Sequence, residues 1–149
     1  MFPITIDSGA VDTVGPKRVG EGIPINPTKE SMMGIGYRAA NGTPIKNHGE
    51  RVIEGRTEKG QKLKMRITVA DVSKVLASVS KICDCGSRVI FDEAGNYIED
   101  KRTGEKTPLH TRHGVYAVDM RIKKSKEGTV DAIVEECEEV FSGLGADLI

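Results

Sequence analysis

The chain has 149 residues, 38% hydrophobic and 30% charged, with 22 Lys and Arg against 22 Asp and Glu. This length fits one domain, or one domain with a tail, and the core must be aliphatic because only 4% of the residues are aromatic. The balanced charge argues against a general nucleic-acid-binding protein, and no apolar stretch approaches the roughly 18 residues of a membrane span. The N-terminal residues do not resemble a signal peptide, and three cysteines indicate no disulfide framework. The composition predicts a soluble intracellular protein.

Short apolar runs separated by turn-forming residues fill the first 122 residues. The 17 Gly and 6 Pro residues punctuate these runs, which is typical of many short strands and turns. Alternation of polar and apolar residues predicts half-buried strands over 62–69 and 115–122. Asn41-Gly42 predicts a hairpin between 37–40 and 43–53, because this dipeptide accepts the positive φ values of a type I′ turn. The other predicted strands are 4–6, 88–91 and 97–98, and a loop is predicted over 15–34.

Two apolar stripes with helical spacing are present in the second half of the chain. The first predicts one short helix that ends near Gly86, a typical C-terminal cap, and consists of Val72, Val75, Leu76, Val79 and Ile82. The second predicts a C-terminal amphipathic helix and consists of Val130, Ile133, Val134, Cys137, Val140 and Phe141. The sequence therefore predicts a β-rich domain over 1–122, followed by a basic linker and this helix over 123–149.

The segment most suggestive of chemistry is Ile4-Thr5-Ile6-Asp7-Ser8-Gly9-Ala10. Apolar β-branched residues lead into a carboxylate, a small hydroxyl and a glycine, which predicts that Asp7 lies on a tight turn at the end of a rigid strand. Gly9 lets another backbone come close, and Ser8 can form a hydrogen bond across a symmetric contact. Asp-Ser-Gly is also an ordinary turn sequence in which the Asp side chain bonds its own backbone, and this alternative stays open.

Two such turns facing each other would give a catalytic pair. The two carboxylates cannot both readily ionise at short distance, so they share one proton. The ionised member can then take a proton from water while the protonated member polarises an amide carbonyl. Because the chain contains one such motif, this chemistry requires a homodimer with two-fold symmetry.

The segment Asp7-Ser8-Gly9-Ala10-Val11-Asp12-Thr13-Val14 resembles the active-site segment of retropepsins, the aspartic proteases of retroviruses and long-terminal-repeat retrotransposons. Residues 40–50 lie where that family has its flap hairpin. The segments 72–82 and 88–91, together with His113-Gly114-Val115-Tyr116, resemble the later half of protease regions in copia-type transposon gag-pol polyproteins. In order, these blocks cover about residues 3–120.

The resemblance implies a closed acid-protease β-barrel with a flap hairpin, a homodimer, and cleavage of peptide bonds in a polyprotein substrate. It implies a location in the cytoplasm or inside transposon-encoded particles. No cofactor and no membrane partner are expected, and the balanced charge argues against a nucleic-acid partner. By position, the catalytic residues are Asp7, Ser8, which would hold the dimer across its two-fold axis, and Gly9, which would permit the tight turn. The substrate-binding residues are Ala10, Asp12, Asn41 and Gly42, the last two near the tip of a lid that closes over the peptide.

Two features depart from the family pattern. Six residues precede Asp7, where the family usually has further strands, and Ala77 has a Cβ where close packing behind the catalytic loop prefers none. They favour an alternative, a catalytically silent retropepsin-like module that dimerises or binds peptides. A third interpretation is an unrelated β-rich binding domain in which Asp7 only caps a turn.

No metal site is predicted from the sequence. Cys83-Asp84-Cys85 offers two thiolates, whereas a structural zinc site needs about four ligands, and His48, His110 and His113 show no ligand spacing. The basic residues at 121–126 are expected to form a solvated linker.

Overall fold

The structure is a computed structural model that describes residues 1–123 and 140–142, and these residues form mainly β structure. The described helices are α1 (Lys29–Met32) and α2 (Val79–Asp84). The described strands are β1 (Phe2–Asp7), β2 (Val14–Gly15), β3 (Tyr37–Arg38), β4 (Pro44–Ile45), β5 (Asn47–Thr57), β6 (Lys62–Ala70), β7 (Val75–Ser78), β8 (Ser87–Ile90), β9 (Tyr97–Asp100), β10 (Lys106–Pro108), β11 (His110–Arg112), β12 (Val115–Ile122) and β13 (Val140–Ser142).

The largest sheet of the described residues is ring-like. Its strands follow the order β1-β7-β2-β6-β5-β12-β11, and β13 pairs with β6 outside this path. Because β1 also pairs antiparallel with β12, with Ile4 opposite Val118, the path from β1 to β12 closes on itself. Strands β8, β9 and β10 form a separate small sheet, and β3 pairs with β4. The mainly β fold that the sequence predicts is confirmed.

Aliphatic side chains form the core, as the scarcity of aromatic residues predicts. Along β6, alternate residues are buried because successive side chains of a strand point to opposite faces. The same alternation buries Ile4 and Ile6 of β1. These side chains join one buried cluster with residues of β5, β7 and β12, including Ile53, Val75 and Met120.

Arg51 is a buried cation that fixes the loop over 15–34. It is 5% exposed, and its guanidinium donates hydrogen bonds of 2.8, 2.8 and 2.9 Å to the backbone carbonyls of Lys17, Val19 and Ile23. Burial lowers the pKa of Arg51 from its usual value. One side chain of β5 therefore satisfies three carbonyls of a segment with little regular structure of its own.

Strands β1 and β2 are consecutive in the chain but separated by β7 in the sheet. β7 runs parallel to β1, with Ser78 opposite Asp7, and antiparallel to β2, with Leu76 opposite Val14. The connection between β1 and β2 therefore passes the end of β7, where α2 begins. This crossing places Asp7 beside the start of α2.

The predicted helix over 72–82 is wrong in its first half. Val75–Ser78 is strand β7, and the helix covers only Val79–Asp84. A strand with a parallel neighbour is buried on both faces and has a continuous apolar sequence, which spacing alone does not distinguish from a buried helix. The predicted end of the helix is confirmed, since Gly86 follows the cap residue Cys85 with φ +90.

Three further predictions need correction. The turn of the β3–β4 hairpin is not type I′, because only Gly42 of the Asn41-Gly42 pair has positive φ, and the Gly42 N–H bonds the Ala39 carbonyl at 2.8 Å. A second short helix, α1, interrupts the loop predicted over 15–34. Val140 and Phe141, expected at the end of the amphipathic helix, are in strand β13. The rest of that helix lies outside the described residues.

No helix in the described part of the chain has the length and apolar character needed to cross a membrane.

Candidate functional site

Asp7 ends β1, and the turn that follows fixes its carboxylate. Oδ1 accepts a 2.8 Å hydrogen bond from the Gly9 N–H, and the Ala10 N–H donates to the Asp7 carbonyl at 3.4 Å. Asp7 is half-buried, whereas Ser8 and Gly9 are exposed. The carboxylate therefore has a defined position at the end of a core strand and is open to solvent. Residues 7–13 are called the Asp7 loop below.

Ser78 supports the Asp7 loop, although its position in the sequence did not predict this role. Its side chain is fully buried, and Oγ donates to the Ala10 carbonyl at 2.8 Å and accepts from the Lys81 N–H at 3.2 Å as the N-cap of α2. Its backbone N–H donates to Oγ1 of Thr13 at 3.1 Å. The available sequence signal was a serine at a strand–helix junction, a typical N-cap position. The prediction of a continuous helix over 72–82 concealed it.

Asp12 connects the Asp7 loop to the hairpin and to α2. Its Oδ2 accepts a 3.0 Å hydrogen bond from the Tyr37 hydroxyl, and its Oδ1 lies 3.8 Å from Nζ of Lys81. Burial, with a further contribution from the Asp12 charge, raises the pKa of Tyr37 above 10.0, so the phenol stays a donor at neutral pH. Both carboxylate oxygens have partners within the chain, and each keeps a lone pair that can accept a further hydrogen bond from a substrate N–H.

Asn41 and Gly42 lie at the tip of the β3–β4 hairpin, and both are exposed. The Asn41 side-chain oxygen accepts from the Thr43 N–H at 3.0 Å, and the Gly42 carbonyl accepts from the Arg38 guanidinium at 3.1 Å. The stem of the hairpin reaches the Asp7 loop through the Tyr37 hydroxyl. The tip itself forms no hydrogen bond with that loop among the described residues.

A polar recess of about 460 Å³ opens beside Asp12. Its walls include Tyr37, Glu50, Arg66 and Lys81, with an ion pair of 3.2 Å between Arg66 Nη1 and Glu50 Oε1. The recess therefore presents both carboxylates and cationic donors. Such a lining suits the alternating N–H and C=O groups of an extended peptide.

The turn at Asp7 does not itself require glycine at position 9. Gly9 does not have positive φ, and an added Cβ would lie 3.4 Å from Asp7 Oδ1, an ordinary contact. Ala77 is fully buried opposite Ile6 and belongs to the core cluster, so the sheet accommodates its methyl group.

The cysteines near α2 form no metal cluster in the described residues. Cys83 is free and exposed, whereas Cys85 is disulfide-bonded, which the sequence did not predict. The one candidate group of three metal-binding side chains found in 1–123 and 140–142 contains no cysteine.

No protein-family model, curated protein or solved structure matches this chain.

Proposed function

We propose that this chain is an aspartic endopeptidase of the retropepsin type that acts as a homodimer, each subunit contributing one Asp7. The observation that carries the proposal is the position of the Asp7 carboxylate. It lies at the end of a core strand, is held by the Gly9 N–H at 2.8 Å, and is open to solvent. A carboxylate fixed in this way is preorganised for proton transfer.

The two Asp7 carboxylates of the dimer share one proton and hold a water molecule between them. The ionised carboxylate takes a proton from the water as its oxygen attacks the carbonyl carbon of the scissile peptide bond. The protonated carboxylate gives its proton to the carbonyl oxygen, and a proton then passes to the amide nitrogen as the C–N bond breaks. Water and the peptide bond are consumed, and a carboxyl and an amino group are formed.

The surroundings of the Asp7 loop support a peptide as substrate. The polar recess next to Asp12 can accept extended backbone, and the hairpin with Asn41 and Gly42 at its tip is attached to the same loop through Tyr37. The substrate class is a polyprotein, and the setting is the cytoplasm or a transposon-encoded particle, as the resemblance implies.

Cleavage of a peptide library between about pH 4 and pH 7 tests the proposal. Asp7→Asn keeps the side-chain shape but removes the charge and the shared proton, so cleavage should be lost. Asp92→Asn is the matched control, because Asp92 is exposed on the β8–β9 turn and lies outside the proposed machinery. Equal cleavage by wild type and Asp7→Asn would overturn the mechanism.

A catalytically silent peptide-binding module is the second candidate, and the polar recess favours it because Asp7 does not line that recess. This candidate predicts that library peptides bind the wild type and Asp7→Asn equally well, with no cleavage by either. Substitution of Lys81 by Met would then weaken binding, since Lys81 is a cation of the recess wall.

Gly9→Ala distinguishes an effect on dimerisation from an effect on the stability of the single chain. Within one chain the added methyl group meets only an ordinary contact, so the melting temperature of the isolated subunit should change little. In a dimer whose Asp7 loops face each other, the same methyl group obstructs the close approach of the partner backbone. Sedimentation should therefore show weaker dimerisation, and cleavage should fall in parallel.

A further inference from the structure

Glu58, His110 and Asp119 converge on one place although they belong to three separate segments. His110 on β11 lies opposite Ala117 of β12, and Asp119 is two residues further along β12 on the same face. Glu58 lies in the turn that follows β5. One ligand atom from each of the three side chains falls within 4.8 Å of the other two.

The distance between His110 and Asp119 is compatible with a shared tetrahedral metal ion as well as with a direct ion pair. Nε2 of His110 is buried and has no hydrogen-bond partner in the described residues, although it lies 3.3 Å from Oδ2 of Asp119. Two ligand atoms bound at about 2.0–2.1 Å in a tetrahedron are roughly 3.3–3.4 Å apart. Glu58 is exposed, so its side chain has the freedom to complete the set.

We propose that Glu58, His110 and Asp119 form a zinc site, with the fourth position open to water. One imidazole nitrogen and two carboxylate oxygens are ligands that Zn²⁺ accepts, and the imidazole favours zinc over Mg²⁺. The bound ion joins the β5–β6 turn to β11 and β12. Strand β12, which carries Asp119, pairs with both β1 and β5 and so closes the ring of the large sheet. This inference is independent of the proposed protease activity.

Arg112 is the group that competes with the metal. Its Nη2 lies 3.6 Å from the same Oδ2 of Asp119 that faces His110, and its side chain is 53% exposed. The guanidinium therefore offsets the carboxylate charge and repels a cation, but it can turn out to solvent. Removal of this charge by Arg112→Gln should tighten zinc binding, whereas loss of a ligand should weaken it.

Calorimetric titration of the full chain with ZnCl₂ and with MgCl₂ tests the site, with Cys83→Ser in every arm to remove the exposed thiol. We expect one Zn²⁺ per chain, affinity lower by at least about tenfold in His110→Gln and in Glu58→Gln, and higher affinity in Arg112→Gln. His113→Asn is the matched control, because His113 has φ 53, which asparagine tolerates, and lies outside the cluster.

Three results would each overturn the proposal. They are no saturable zinc binding, unchanged affinity in His110→Gln and Glu58→Gln, and magnesium binding as tight as zinc binding. Because Glu58 is exposed, Glu58→Gln tests the site in a folded chain even if His110→Gln destabilises the protein.

Discussion

Ser78→Ala tests the support of the Asp7 loop most directly. The Ser78 side chain is 0% exposed, and its hydroxyl joins two segments by donating to the Ala10 carbonyl at 2.8 Å and accepting from the Lys81 N–H at 3.2 Å. Alanine fits the same space but offers neither hydrogen bond. The substitution therefore removes the polar contacts without creating a steric conflict.

The size of the effect follows from these two bonds. Loss of a serine N-cap costs about 1 kcal/mol, and a buried carbonyl left without its donor costs about 1–3 kcal/mol. Together they should lower the free energy of unfolding by about 2–4 kcal/mol. For a chain of this size, the corresponding fall in Tm is roughly 5–15 °C.

Urea and thermal unfolding followed by circular dichroism measure this difference. Ser80→Ala is the matched control, because Ser80 is exposed in the same helix and alanine has the higher helix propensity. Its free energy of unfolding should stay within about 0.5 kcal/mol of the wild type. If Ser78→Ala and Ser80→Ala unfold with the same free energy, the role assigned to the Ser78 hydroxyl is refuted.

Three other predictions concern stability. Arg51→Met leaves three loop carbonyls without their donor and should lower the free energy of unfolding by about 3 kcal/mol or more in urea titration; an unchanged value would contradict this. Gly55→Ala places a Cβ 2.0 Å from a carbonyl oxygen of β12 and should lower the Tm strongly, whereas Gly95→Ala meets open space and should not. The hydrogen bond from His48 lowers the pKa of Asp71 below 3.8, so the ionised carboxylate stabilises the fold above that pH. The Tm difference between wild type and Asp71→Asn should therefore vanish as the pH falls below the lowered pKa of Asp71. A Tm difference that grows on acidification would contradict a stabilising role of the ionised Asp71.

Strands whose sequences alternate could be predicted from the sequence alone. The segments 62–69 and 115–122 correspond closely to β6 and β12, because a strand with one buried face has a local pattern of period two. A hairpin at Gly42 was also predictable, since glycine is needed where φ is positive. Its second arm was predicted too long, because only Pro44–Ile45 pairs with β3 and Asn47–Thr57 joins the large sheet as β5. Its turn type was not predictable, because the choice depends on how the chain pairs on either side.

Features that depend on distant partners were not predictable. Val75–Ser78 is a strand because β1 lies beside it, and the spacing of its apolar residues carries no sign of that neighbour. Val140 and Phe141 pair with β6 for an equally non-local reason. The cluster of Glu58, His110 and Asp119 has no recognisable spacing, because three separate segments supply its ligands.

The contacts of the Asp7 loop also bear on which residue supplies the second carboxylate of the proposed mechanism. A carboxylate pair requires a second carboxylate, and the one other carboxylate in residues 7–13 is Asp12. Asp12 is already bonded to the Tyr37 hydroxyl at 3.0 Å and lies 3.8 Å from Nζ of Lys81, so its position is fixed by the hairpin and α2. The Asp7 carboxylate, in contrast, is bonded within its own turn and is open to solvent. Within the proposed mechanism, Asp12 is thus not the partner of Asp7, and a second copy of the chain supplies the other carboxylate.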